Sequence, residues 1–377
     1  MSTDLIEPAE AAHSATAEPD RVVGQSRLMQ SLLRYPSSGA LAGVIIVSLL
    51  FLFIANPAMF SPRGVLNWVE VSAELTVVAV GACLLVVAGE FDLSIGSMIA
   101  FSGMSMALLI VFGGLPAWLA ILIGFAVAVG TGFLIGLIRV RSGLPSFIVS
   151  LAFLFILRGA SIVAARLFNE TTLIGGLQDY KDHDPVAFLF GGEVFGGLFR
   201  WMSEHGVLAK LPNGRPVVSG IPMVVVWAAV LTVAGSYVLH RTRFGNWIFA
   251  TGGDANAARS AGIPVNRVRT LLFMFSAFCA TIFATAQVFG FGSADASRGL
   301  LKEFEAIIAV VIGGALLSGG YGSVSGAMLG ALIFGIVSQG FFFTGVDGDW
   351  FQIFLGVVLL AAVAFNTYAR KKMTGGI

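Results

Sequence analysis

Glu90, Asp92, Ser94 and Ser97 sit close together in Gly89-Glu90-Phe91-Asp92-Leu93-Ser94-Ile95-Gly96-Ser97, a polar joint between two apolar runs. Two carboxylates and two hydroxyls at a helix start have two uses. They can satisfy open amides and the positive end of the helix dipole, with Asp92 capping Ser94 or Ile95. Sunk among apolar residues, they can instead line a polar pathway or hold an ion. Glu70 and Glu74, one helical turn apart near the outer end of the preceding run, offer the same choice, as do Gln287 and Glu303 at the outer ends of two later runs. Nothing supports covalent chemistry, because no His, Ser or Cys constellation is present and no catalytic residue is expected. His183 stands between Asp182 and Asp184, but with four histidines in the chain and no second ligand cluster it reads as part of a solvated turn, so no metal or cofactor is expected. None of the five lysines follows a glycine, which excludes a phosphate-gripping loop. Energy for any work must come from another chain or from an ion gradient.

The elements that position these groups are membrane helices. Of 377 residues 57% are hydrophobic and 11% charged, and the mean hydropathy of +0.90 fits a chain that shows apolar side chains to lipid. The net charge of +1 argues against a nucleic-acid partner. Apolar runs of spanning length fall near 40–58, 68–88, 93–112, 117–138, 145–165, 221–239, 268–290, 305–318, 324–343 and 351–368, the eighth being short. The expected fold is an all-α polytopic membrane protein of about ten transmembrane helices, some broken or re-entrant at joints such as Gly143-Leu144-Pro145. A weak internal duplication pairs ELTVVAVGACLLVVAGEFDLSIGSM, from Glu74, with EAIIAVVIGGALLSGGYGSVSGAM, from Glu305. Gly322, Gly326 and Gly330 make one helix face bare for close packing. Cys83 and Cys279 read as small buried side chains.

Positive charges orient the chain. With the N-terminus inside, the inner segments hold 13 of the 22 Lys and Arg residues, and four more lie in a long loop whose charge matters little. Both termini are therefore expected in the cytoplasm, with a flexible tail at 1–38, a transmembrane domain at 39–370 and a short tail at 371–377. An enlarged outer loop spans 169–220. Its apolar patch, Val186 to Phe199, is too short and glycine-broken to span and is expected as an interfacial helix or lid.

The loop at 241–269 is the strongest local signal. Gly252-Gly253 breaks what precedes, Asp254 caps a short Ala-rich helix containing Asn256, Ala257, Ala258, Arg259 and Ala261, and Gly262 before Ile263-Pro264 ends it. Arg241, Arg243, Arg259, Arg267 and Arg269 flank it. On composition alone it is a basic connector or a surface to be gripped by another protein.

FGNWIFATGGDANAARSAGI resembles the cytoplasmic coupling loop of permease subunits in ATP-binding cassette importers for monosaccharides, the ribose and xylose type, and Asp92-Leu93-Ser94 followed by Gly96-Ser97 resembles a second signature of that family. The resemblance implies a permease of the bacterial inner membrane, working as a dimer with a second copy. It implies a cytoplasmic ATPase that grips residues 252–262 and a periplasmic sugar-binding protein. It also implies alternating access driven by ATP hydrolysis in the partner chain. Glu90 takes a place usually held by a small or neutral residue in that family. The alternative is an autonomous H+ or Na+ coupled secondary transporter, for which Glu90 and Asp92 are the inviting ion site.

Overall fold

The computed structural model describes residues 36–345, 347 and 349–373. The expected tails therefore fall outside the described residues from 1 to 35 and from 374 onward. In chain order the helices are α1 (Pro36–Ile54), α2 (Pro62–Val87), α3 (Ile95–Val111), α4 (Ala117–Ser142) and α5 (Ser146–Asn169). A segment of small elements follows: β1 (Leu173–Ile174), α6 (Tyr180–His183), α7 (Pro185–Gly191), β2 (Glu193–Val194), α8 (Gly196–Glu204) and β3 (Ile221–Pro222). The chain continues with α9 (Met223–Arg241), α10 (Arg243–Gly253), α11 (Ala255–Ser260), α12 (Val265–Phe291), β4 (Ala294–Asp295), α13 (Lys302–Ile312), α14 (Val324–Thr344) and α15 (Asp349–Met373).

Each apolar run carries a helix, but they are not ten equal crossings. Among the described residues six helices, α2, α4, α5, α9, α12 and α14, are long and apolar enough to cross a membrane, and α1, α3 and α15 contain shorter apolar stretches. The eighth run, expected at 305–318, yields only α13, whose 11 residues reach about 16 Å at 1.5 Å per residue, roughly half a bilayer core. Burial ranks the rest. The apolar windows of α2 and α12 are 78% and 72% buried and form the centre, whereas that of α5 is 22% buried and lies at the rim. Glycine lets α4 close on α12: a methyl group added at Gly132 would stand 2.7 Å from the Phe273 carbonyl oxygen, and one at Gly136 2.7 Å from Thr270 Cα. Such approach replaces the hydrophobic drive that lipid does not supply. Cys83 and Cys279, on α2 and α12, are buried and unpaired.

The break falls elsewhere than at Gly143-Leu144-Pro145, which is an ordinary turn with Gly143 at φ +70° and Pro145 opening α5. It lies after α12. Residues 294–301 turn back into the bundle, where Arg158, midway along α5, donates to the carbonyls of Ala296 (2.5 Å) and Arg298 (3.0 Å). Backbone without helical partners is tolerated at such depth only when protein groups satisfy it. α13 starts there, so Glu303 is not at an outer helix end. It is 4% exposed, and its carboxylate lies against Gly96 of α3.

The two echoing segments fold alike. α2 ends with Glu90 N bonded to Leu85 O and Gly89 N to Val86 O, and α13 ends with Ala315 N bonded to Val310 O and Gly314 N to Val311 O. Both are the paired closing bonds of a helix stopped by a left-handed glycine. Gly326 and Gly330 press α14 on the carbonyls of Gly313 and Ala309, while Gly322 lies before the helix rather than on its face.

The apolar patch at 186–199 is two pieces, because Gly192 is extended and Phe195 takes φ +62°. α7 is seated rather than lying free. Asp184 caps Val186 and Ala187 and accepts from Trp118 N (3.1 Å), Trp227 donates to Leu189 O (2.8 Å), and Phe190 stacks on Trp227. Two short pairings, β1 with β4 and β2 with β3, tie the segment to the ends of α9 and α12.

Candidate functional site

The candidate residues gather at opposite ends of the bundle, and α2 joins the two. At one end lies the 241–269 loop. Asp254 Oδ1 accepts from Asn256 N (2.8 Å) and Ala257 N (3.1 Å), and the bonds from Ala257 N and then Asn256 N hold its carboxyl below the usual aspartate range. α11 closes with Ile263 N on Ala258 O and Gly262 N on Arg259 O, with Gly262 at φ +80°. The cap, the short helix and the glycine stop are thus as the sequence predicts. Helix rotation corrects one detail. Ala258 is 4% exposed and faces the protein itself, so the surface left open consists of Asn256, Ala257, Arg259, Ser260 and Ala261.

α10 anchors this helix through a buried stripe of Gly245, Ile248 and Thr251. Its end, Gly252, lies on the Val87 carbonyl and the Gly320 amide, and the Gly320 amide itself bonds Val87 O at 2.8 Å. A methyl group at Gly319 would stand 2.8 Å from Gly252 O and 2.9 Å from Gly89 Cα. Three chain segments therefore meet backbone to backbone at Gly89, Gly252, Gly319 and Gly320, and a Cβ at Gly252 or Gly319 would wedge them apart.

The Gly89–Ser97 joint sits directly beyond. Asp92 Oδ1 accepts from Ser94 N (2.9 Å) and Ser94 Oγ (2.5 Å), as the capping reading expects, and Oδ2 accepts from Ser276 Oγ of α12 (2.8 Å). Phe91 N and Leu93 N donate to Ser146 Oγ and Ser150 Oγ, both at 3.0 Å. These α5 serines, one turn apart, satisfy amides that the unwound stretch leaves open. Glu90 is committed to ion pairs: Arg139 Nε and Nη2 donate to its two oxygens at 2.9 Å each, and Arg269 Nε stands 2.5 Å from Oε1, too bent for a linear hydrogen bond. Ser97 Oγ and Glu303 Oε2 are buried and find no hydrogen-bond partner among the described residues.

At the opposite end a cavity of 210 Å3 opens between α2, the 190–193 and 217–222 stretches and the end of α12. Glu70 and Glu74 line it from one face of α2, and Gln287 Nε2 donates to Glu74 Oε1 at 3.1 Å. Of the pathway candidates these three come together, whereas Glu90, Asp92, Ser94 and Ser97 do not reach the cavity. Sequence reasoning missed the opposite wall, Glu193 and Lys181, and the serine and arginine partners of the 89–97 joint. The spacing Ser146/Ser150 was the one available signal. His183 is exposed with Nδ1 at 2.9 Å from Asp179 O, and no cluster among the described residues is fit to hold a metal ion.

Residues 64–363 match the family described as branched-chain amino acid transport system / permease component. The ribose import permease protein RbsC of Escherichia coli K12 is 30% identical over 310 residues, covering 82% of this chain and 87% of that one. The inner membrane ABC transporter permease protein YjfF of the same strain is 31% identical over 326 residues, 86% of this chain and 89% of its own. The xylose transport system permease protein XylH, also of that strain, is 29% identical over 363 residues, 88% of this chain and 92% of its own. No solved structure matches significantly.

Proposed function

The chain belongs to the branched-chain amino acid transport system / permease component family, and from that premise we propose that it is the transmembrane permease subunit of an ATP-binding cassette importer for a monosaccharide or related polyol. It sits in the bacterial inner membrane with both termini in the cytoplasm and works with a second copy of itself, a cytoplasmic ATPase and a periplasmic sugar-binding protein. The carrying observation is that the most similar relatives described above, over more than four fifths of this chain, include a ribose and a xylose permease.

The geometry supports a mechanism of alternating access. Residues 252–262 form the cytoplasmic grip, with Asn256, Ala257, Arg259 and Ala261 open to the ATPase and Gly252 bearing on the joint of α2, α3, α13 and α14. Closure of the ATPase pushes α10 and α11, and the glycine joint passes the displacement to α2. Substrate enters at the opposite, periplasmic end past Glu70, Glu74 and Gln287. No covalent step falls to this chain, and ATP is hydrolysed by the partner.

One observation favours a second reading. Glu303 is a buried carboxylate at the start of a broken helix, with Oε2 unpartnered among the described residues, which is what an H+ or Na+ coupled carrier uses. Proteoliposomes separate the two. Uptake of labelled ribose, xylose and myo-inositol should require the ATPase and ATP and survive a proton or sodium ionophore. Uptake by the chain alone, collapsed by such an ionophore, would transfer the assignment to the carrier.

A further inference from the structure

The enlarged segment between α5 and α9 supplies half the wall of the 210 Å3 cavity, facing the polar stripe of α2. We propose that this cavity is a receiving site for one neutral, polyhydroxylated molecule of monosaccharide size, and that it turns away anionic sugars. The proposal rests on the sugar-importer reading above and gives the loop its role.

Three features carry it. The first is graded polarity along one helix face: Arg63 is exposed in the first turn of α2, and Asn67, Glu70 and Glu74 follow at successive turns, each deeper. The innermost acceptor is fixed in place, because Gln287 Nε2 holds Glu74 Oε1 at 3.1 Å. The second is composition. Glu193 of the loop faces the α2 carboxylates, so three acids line the cavity against Arg63 and Lys181. The acids' oxygens accept, and each side chain can take two hydroxyls from a polyol. A carboxylate or phosphate on the ligand would offer these oxygens no donor and would face three acids against two cations. The third is the apolar part of the wall. Phe190, held by stacking on Trp227 at 5.3 Å, and Phe291 also line the space, giving the C–H face of a sugar ring a rigid surface. The volume sets the size: at ~30 Å3 per water it holds about seven waters, which admits a single sugar ring and not two.

The test uses the permease–ATPase complex in lipid nanodiscs with ribose, xylose, glucose, myo-inositol or galacturonate as probes. Saturation transfer from protein to probe protons reports binding, and proteoliposomes with ATP and the binding protein report import of the same labelled compounds. At least one neutral probe should receive transfer and galacturonate none. Ser219→Trp, which fills the cavity from the loop side, should abolish the signal, and Glu70→Gln with Glu193→Gln should weaken binding about tenfold or more, as loss of charged acceptors does. Co-elution with the ATPase verifies assembly of each variant. A signal undiminished in both variants, equal transfer to galacturonate, or no transfer to any neutral probe overturns the proposal, whether or not import occurs. A Ser219-sensitive signal without import of any probe would leave the cavity standing and sink the importer reading instead.

Discussion

Glu90 offers a test in which electrostatics predicts the order of two effects. Its side chain is 1% exposed, and the guanidiniums of Arg139 and Arg269 that meet it are 16% and 12% exposed. The cluster holds one negative and two positive charges. Replacing Glu90 by Gln keeps the shape but leaves two buried arginines facing each other without a counter-charge. Breaking a buried pair costs about 3–5 kcal/mol, and because water reaches both guanidiniums the lower figure of about 3 kcal/mol applies. At about 2.1 cal/mol/K of unfolding entropy per residue, that corresponds to a fall in unfolding temperature of roughly 4 °C for a chain of 377 residues. Arg269→Met removes a positive charge instead and leaves Glu90 balanced and doubly hydrogen-bonded by Arg139, so it should cost less than half as much. The assay is supplied by the protein. Cys83 and Cys279 are both 0% exposed, so a thiol-reactive dye added to the micellar permease reports unfolding as they emerge. Destabilisation by Arg269→Met equal to or above that by Glu90→Gln would refute the argument, as would an unfolding temperature unchanged in Glu90→Gln.

Other expectations are more direct. Gly252→Val puts a side chain into the Val87 carbonyl and the Gly320 amide, so the variant should still bind the ATPase yet lose sugar-stimulated ATP hydrolysis at least tenfold; a hydrolysis assay with normal stimulation would remove the joint from the mechanism. Ala257→Trp, on the open face of α11, should abolish co-purification with the ATPase while leaving the thiol-dye unfolding curve in place, whereas Ala258→Trp, directed inward, should lower that curve; identical behaviour of the two would mean that α11 has no docking face. Lys181→Cys should react with an impermeant maleimide in intact cells and Asn256→Cys only after lysis, and reaction of Asn256→Cys in intact cells would invert the proposed topology.

What the sequence made legible was local or periodic. The cap at Asp254 and the stop at Gly262 are decided by bonds spanning two to five residues, and apolar runs of spanning length announce helices without reference to the rest of the chain. What escaped depended on partners far away. The carboxylate of Glu90 was readable as a helix-start charge, but its arginines lie on α4 and α12, and nothing in Gly-Glu-Phe-Asp points to them. Ala258 was assigned to the docking face with its neighbours because its small side chain was given more weight than Asn256, Arg259 and Ser260, which mark the open side of the turn. Glu303 was set at an outer helix end because hydropathy counts residues and not depth; the dive of residues 294–301 is fixed by Arg158 bonds that the intervening chain does not foreshadow. The glycine echo between 74–98 and 305–328 was visible, yet only the fold brings its two turns into contact at Gly89 and Gly319.

In the proposed mechanism, that contact is how one short helix controls a site at the other end of the bundle. The cavity wall and the glycine joint are built on the same element: α2 carries Arg63, Asn67, Glu70 and Glu74 at one end and the Val87 carbonyl at the other. Its 26 residues span about 39 Å as a continuous helix, with no proline after its first residue to absorb a bend. A rigid rod held in the centre of the protein cannot shift at one end alone. A displacement of Gly252 must therefore either break the backbone contacts at Val87 and Gly320 or move the α2 face against the 190–193 wall. Because backbone-to-backbone contacts at these glycines contain no flexible side chains to take up slack, the second outcome is the cheaper one, and in the proposed mechanism it is the motion that opens or closes a site between α2 and the loop.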